Sequence, residues 1–251
     1  MSQSAFCVAS KTICVTGASS GIGRHIASYL ANQGANVVAV ARRGDALADW
    51  EQTTGGTVAS VAADLGQIDQ IGAIGDEIAA HFGAVDILIN AAGLNPRLHA
   101  DQVTPKHWQQ TIDINLSASF FLAQHFVPGM QARGWGRVIN FASLQSRRAF
   151  ANGIAYGASK GGVEQMTRAM AEAWSPRGIT CNAIAPGFFP TELTAKVFDD
   201  AALARANAAQ TCIGRNGELR DLEGPVMFLA SPASDYVTGQ VLFVDGGFTA
   251  K

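Results

Sequence analysis

Tyr156 and Lys160 stand four residues apart in the run AYGASKGG (155–162). On a helix that spacing puts a phenol and an ammonium on one face, one turn apart. The small neighbours Gly157, Ala158, Gly161 and Gly162 leave the same face open to something bulky. A free phenol titrates near ~10 and is a poor proton carrier at neutral pH. Bringing it to neutrality needs a downward shift of about 3 units, or roughly 4 kcal/mol. An ammonium about 4 Å away, at an effective dielectric of about 20, supplies roughly that amount. The pair has the make-up of a tuned acid/base.

A second cluster is the glycine-rich run TGASSGIG (16–23). It follows an apolar run and leads into a helical one. Glycines there let the backbone approach a pyrophosphate, and a helix N-terminus supplies amides and partial positive charge. The spacing is G-x-x-x-G-x-G, which differs from the usual G-x-G-x-x-G fingerprint. Its place between strand and helix is what points to a nucleotide.

These residues need a scaffold, and the chain alternates short β-branched runs with longer helical ones. Strands are expected at 11–17, 35–41, 56–64, 85–93, 136–143, 178–187 and 239–247. Helical segments lie between them, including 22–33, 67–82, 104–130, 154–175 and 218–231. Most strands run apolar without alternation, as strands covered on both faces do. Strand and helix in turn, joined by short loops, give an α/β fold: a doubly wound, parallel, seven-stranded sheet. With no linker or repeat, residues 1–251 read as a single domain.

Bulk properties narrow the partners. The chain has 251 residues, a net charge of −2 and a pI near 6.2, which argues against nucleic acid or an anionic membrane. Cys7, Cys14, Cys181 and Cys212 lack ligand-like spacing, and the five His are scattered, so no metal is expected. Cys14 and Cys181 lie in strand runs and read as reduced core thiols. Without a membrane-length apolar run or a signal pattern, the expectation is a soluble, cytoplasmic chain.

TGASSGIG and YGASK together make the chain resemble the short-chain dehydrogenase/reductase family over essentially its whole length. Thr16, Gly17, Gly21 and Gly23 match TGxxxGxG, and Asp64-Leu65 matches the acidic pair that holds the adenine end. Asn90-Ala91-Ala92-Gly93 matches NNAG except at Ala91. Asn115 and Ser143 match the catalytic Asn and Ser, and Pro186, Gly187 and Thr191 match PGxxxT, the nicotinamide clamp.

The resemblance implies a Rossmann fold and hydride transfer between a nicotinamide and a carbonyl or alcohol carbon. Tyr156 would exchange the proton and Ser143 would fix the substrate oxygen. Lys160 would lower the Tyr pKa and hold the nicotinamide ribose, and Asn115 would hold a water leading from Lys160 to solvent. It further implies cofactor contacts from Gly17, Ser19, Ser20, Gly21, Ile22, Gly23, Arg42, Arg43, Asp64, Leu65, Asn90, Ala91, Gly93, Pro186, Gly187, Phe189 and Thr191. A substrate lid belongs at about 188–210, where Phe188, Phe189, Leu193 and Val197 line a pocket or pack the lid down.

Where an NAD enzyme ends its second strand in an acid, this chain has Ala41, followed by Arg42 and Arg43. NADP(H) is therefore expected, with NAD(H) the alternative. The overall pattern is similar both to 3-oxoacyl-thioester reductases and to sugar-acid or polyol dehydrogenases. A catalytically inert nucleotide sensor is the reading from a different class, but the chain keeps all four catalytic matches. Arg97, Arg147 and Arg148 follow strand ends where they could meet a carboxylate or phosphate on the substrate, or stand as solvated loop charges. Along 104–127, Trp108, Ile112, Leu116 and Phe120 form one apolar stripe, while Ile114, Phe121 and Leu122 point elsewhere. One core needs one stripe. The surplus fits the family's pairing of this helix between subunits, so a homodimer or homotetramer is expected.

Overall fold

Continuous apolar runs need cover on both faces, and the sheet they build has it. The computed structural model describes residues 5–251. Its strands are β1 (Thr12–Thr16), β2 (Asn36–Ala41), β3 (Thr57–Ala62), β4 (Ile87–Asn90), β5 (Gly136–Phe141), β6 (Ile179–Pro186) and β7 (Val241–Val244). They form one sheet in the order β3-β2-β1-β4-β5-β6-β7, every pair parallel. The α-helices are α1 (Gly21–Asn32), α2 (Gly44–Thr53), α3 (Ile71–Phe82), α4 (Pro105–Ile112), α5 (Ala118–Ala132), α6 (Ile154–Trp174), α7 (Ala195–Phe198), α8 (Ala201–Ala209) and α9 (Glu223–Ala230).

Side chains alternate across β1, so each face gets its own core. Ile13 and Val15 pack with Ile26 and Leu30 of α1, Trp50 of α2 and Leu229 of α9. Cys14 points the other way, towards Ile78 of α3, Leu122 of α5 and Met170 of α6. Cys14 and Cys181 are free, fully buried thiols. Burial pushes both up, Cys181 to about 12. Strand order reverses at β1, between β2 and β4. The crevice beyond the carboxyl ends of strands at such a point is where doubly wound sheets bind ligands.

The strands are shorter than their apolar runs. β4 stops at Asn90 because the next two amides, Ala91 and Ala92, donate to Thr16 Oγ1, each at 3.1 Å, rather than continuing a ladder. The helix α2 was absent from the expected set. The helix expected over 104–130 is interrupted: α4 and α5 are separated by a π turn, Asp113–Ser117. Thr104 caps α4 with Pro105 at its first position.

The interruption changes which residues face inward. Ile114, Ala118, Leu122 and Phe126 are buried, while Trp108 is 41% and Phe121 38% exposed. The stripe expected through Trp108 is thus the outer one over its first turns. Phe120 is half-buried and stacks on Trp174 of α6, with ring centres 6.3 Å apart.

Candidate active site

The glycine turn after β1 is built to let something approach. Gly17 sits at φ +69, and a Cβ there would meet the Ala91 carbonyl oxygen at 2.8 Å. A Cβ on Gly23 would fall 2.4 Å from the Gly17 carbonyl oxygen. Both positions admit only glycine, which keeps α1 packed tightly under the turn. Ser20, at the N-cap of α1, makes no side-chain cap; its hydroxyl donates to Glu192 instead, at 3.0 Å. The first amides of α1 are therefore left for an anion.

These features open onto a cleft of about 1070 Å³ along the carboxyl ends of the strands. Gly17, Ser19, Ser20, Gly21, Ile22, Gly23, Arg42, Arg43, Asp64, Leu65, Ala91 and Gly93 line one part of it. Ser143, Tyr156, Lys160, Pro186, Gly187, Phe189 and Thr191 line the rest. The catalytic and cofactor-contact residues expected from the sequence thus line one cleft, apart from Asn90 and Asn115. The length, the glycine turn and the uncapped helix end suit a dinucleotide.

Asn90 is one exception. It is 3% exposed, and its amide donates to Ser119 O and Asn140 Oδ1, 3.2 and 2.9 Å away, bracing β4 rather than meeting the cleft. Asn115 is the other. It sits in the π turn behind Gly93, where its Nδ2 donates to Leu94 O and Ser159 Oγ, each at 3.0 Å. Its Oδ1 accepts from Leu94 N at 2.8 Å, which leaves one lone pair for a water. Asp64 lines the cleft while its Oδ1 accepts from Gly66 N at 3.1 Å.

Tyr156 and Lys160 both begin α6, but the expected 4 Å pairing is not what the structure shows. Lys160 Nζ lies 5.7 Å from the centre of the Tyr156 ring and donates to Phe141 O at 2.6 Å. Burial pushes the phenol up from its ordinary value, and Ser143 and Arg97 pull it back. Burial also lowers Lys160 to about 8. Desolvation outweighs every nearby positive charge. The phenol is a proton donor at neutral pH in this geometry.

The three arginines separate clearly. Arg147 is held by both oxygens of Glu164, at 2.7 to 3.1 Å, and Arg148 covers Phe248. Arg97 lines the cleft at φ +52, close enough to Tyr156 to lower its pKa. Its Nη2 donates to Leu193 O at 2.9 Å. In the segment 188–210, Phe188, Leu193 and Val197 face the cleft, and the Phe189 ring is buried against Gly217. Glu192, Gln145, Asn207 and Gln210 also line it and carried no signal of spacing. Among the described residues no group of three or more His, Cys, Asp or Glu could hold a metal ion, and no helix is long and apolar enough to cross a membrane.

Known proteins share this arrangement. The profile of the family described as enoyl-(acyl carrier protein) reductase matches residues 17–249. A 2-dehydro-3-deoxy-D-gluconate 5-dehydrogenase of Escherichia coli is 38% identical over 257 aligned positions, covering 100% of both chains. A galactitol 2-dehydrogenase (L-tagatose-forming) of Cereibacter sphaeroides is 39% identical, covering 94% of this chain and 93% of that one. The crystal structure of a gluconate 5-dehydrogenase from Burkholderia cenocepacia in complex with NADP and tartrate superposes with a TM-score of 0.90 at 37% identity, covering 98% of each chain. With the glycine turn, the Ser143–Tyr156–Lys160 cluster and a seven-stranded parallel sheet in place, the chain belongs to the short-chain dehydrogenase/reductase family, NAD(P)-dependent oxidoreductases that act on CH–OH groups.

Proposed function

We propose that this protein interconverts a ketone and a secondary alcohol on a hydroxylated carboxylate of the sugar-acid class, using NADP(H). The observation that carries the substrate class is Arg97, a cleft-lining guanidinium near Tyr156 that forms no ion pair with a carboxylate among the described residues. A guanidinium fork suits a carboxylate. The relatives named for sugar acids and a polyol support the same class.

When bound, the dinucleotide would supply the hydride chemistry, at its nicotinamide. The residues lining the glycine turn and Pro186, Gly187 and Thr191 would hold it. Tyr156 gives its phenol proton to the substrate oxygen in reduction and takes it back in oxidation. Ser143, hydrogen-bonded to Tyr156, fixes that oxygen. Lys160, anchored on Phe141 O, places its charge beside the phenol ring and would hold the nicotinamide ribose. Asn115 ties Leu94 to Ser159 and so sets the wall between the π turn and α6. Four free cysteines, two of them buried, fit a reducing compartment such as the cytoplasm.

Arg97→Gln tests the substrate class. Its expected effect is a roughly tenfold or larger rise in KM for D-gluconate-like acids, since a charge-assisted contact is worth about 1.5–3 kcal/mol. KM for a neutral polyol should stay nearly constant. Equal effects on acid and polyol, or a wild type that prefers the polyol, would remove the acid from the proposal.

We also infer a symmetric assembly through α4, α5 and α6. Trp108 and Phe121 expose apolar surface that no described segment covers. Light scattering at micromolar concentration should return the mass of a dimer or tetramer, and a mass near 26.2 kDa would count against it.

A further inference from the structure

Arg43 already holds an anion. Its Nη1 and Nη2 donate to Glu192 Oε1 and Oε2 at 2.9 and 3.0 Å, a two-pronged grip. Ser20 Oγ adds a third donor to the same carboxylate at 3.0 Å. Ser20 Oγ also accepts from Arg43 Nη2 at 2.7 Å. Ser19 Oγ accepts from Arg43 Nε and Nη2 at 3.1 and 3.0 Å. A guanidinium fork backed by two hydroxyls at the mouth of the glycine turn is the donor set that a phosphate monoester would choose.

The carboxylate comes from far away in sequence. Glu192 follows Thr191 in the segment that crosses the cleft, and Thr191 packs on Gly21, where a Cβ would meet its side chain at 3.2 Å. The next residue is tied as well, through Leu193 O and Arg97. Arg43 and Glu192 are each half exposed or more, so the link is a weak one that a stronger anion can replace. Each partner nonetheless stabilises the charge of the other: the Glu192 carboxyl is held below its ordinary range and Arg43 above.

We propose that Glu192 is a specificity-determining residue for the cofactor: its carboxylate occupies Arg43 and Ser20, and a 2′-phosphate on the adenosine ribose must displace it. A cofactor without that phosphate leaves the Glu192–Arg43 link in place. The link thus fastens the start of the 188–210 segment over the adenosine end, and the phosphorylated cofactor unfastens it. This rests on the NADP(H) reading above.

Titration calorimetry with adenosine 2′,5′-bisphosphate and with AMP isolates the phosphate without turnover. Glu192→Gln removes the competing charge and keeps the shape. It should tighten the bisphosphate by about two- to fivefold, the range of an exposed ion pair, and leave AMP unchanged. Arg43→Ala should weaken the bisphosphate and cancel the gain from Glu192→Gln in the double variant. Hydrogen exchange should report faster amides over residues 192–198 when the wild type binds the bisphosphate, with no such change for AMP. If Arg43→Ala weakens the bisphosphate while Glu192→Gln changes nothing, competition is wrong and the NADP(H) reading stands. If the wild type binds bisphosphate and AMP alike and no variant alters their ratio, both fall together.

Discussion

Replacing Tyr156 by Phe lowers turnover by at least ~100-fold in both directions while leaving cofactor affinity nearly unchanged. The ring stays, so the packing of α6 is kept; only the hydroxyl that faces Ser143 is lost. A variant retaining more than a tenth of wild-type turnover would take the proton-transfer role away from Tyr156. The pH profile gives a second readout. Because burial holds the phenol protonated beyond its ordinary range, ketone reduction should be flat across neutral pH. Alcohol oxidation needs the phenolate and should rise about tenfold per pH unit. Lys160, lowered to about 8 by burial, loses its charge in the same window, so the rise should flatten above about pH 8. In Tyr156→Phe that slope should vanish. A steep profile surviving in the variant would assign the proton to another group.

The parallel sheet was legible because burial on both faces writes itself into each strand as an unbroken apolar run. β1 is buried at all five positions and β5 at all six. The Tyr156–Lys160 spacing was legible because one helix carries both residues. What spacing alone could not supply were contacts set by the fold. The apolar pattern runs through 104–130 without a break, so one helix was expected there. The π turn arises because Asn115 bonds to Leu94 and Ser159, far from it in sequence. An extra residue in a turn rotates everything after it by about 100°. That rotation is why Phe121 faces outward while Leu122 faces in. Asn90 was misplaced for a similar reason. A motif match gives its position, but Asn140 and Ser119 decide where its amide turns. The desolvation of Tyr156 is also a property of the packed wall, and a pairwise charge argument from spacing omits it. Glu192 and Arg43 meet across 149 residues, beyond the reach of any local pattern.

Exchanging Ala41 for Asp and Arg42 for Ile reverses the charge at the end of β2 and should turn the enzyme from NADPH towards NADH. Ala41 closes β2, paired with Ala62 of β3, and lines the cleft beside Arg42 and Arg43. No carboxylate at this position repels a 2′-phosphate or grips a ribose 2′-hydroxyl. Spacing alone does not rank Arg42 and Arg43; the structure puts Arg43 in the anion cluster with Ser19 and Ser20, and Arg42 exposed on the same rim. A charge-assisted contact is worth roughly 1.5–3 kcal/mol, or about 10- to 150-fold. The introduced Asp works in the same direction, since it would lie beside the phosphate and face the 2′-hydroxyl of the other cofactor. The ratio of kcat/KM for NADPH over NADH should therefore fall by at least about tenfold in the double variant. Some NADPH preference should survive through Arg43, and adding Arg43→Ala should remove it. Measuring both cofactors in the wild type and the two variants decides the matter. A wild type that already favours NADH, or a ratio that does not move, would show that the end of β2 does not choose the cofactor.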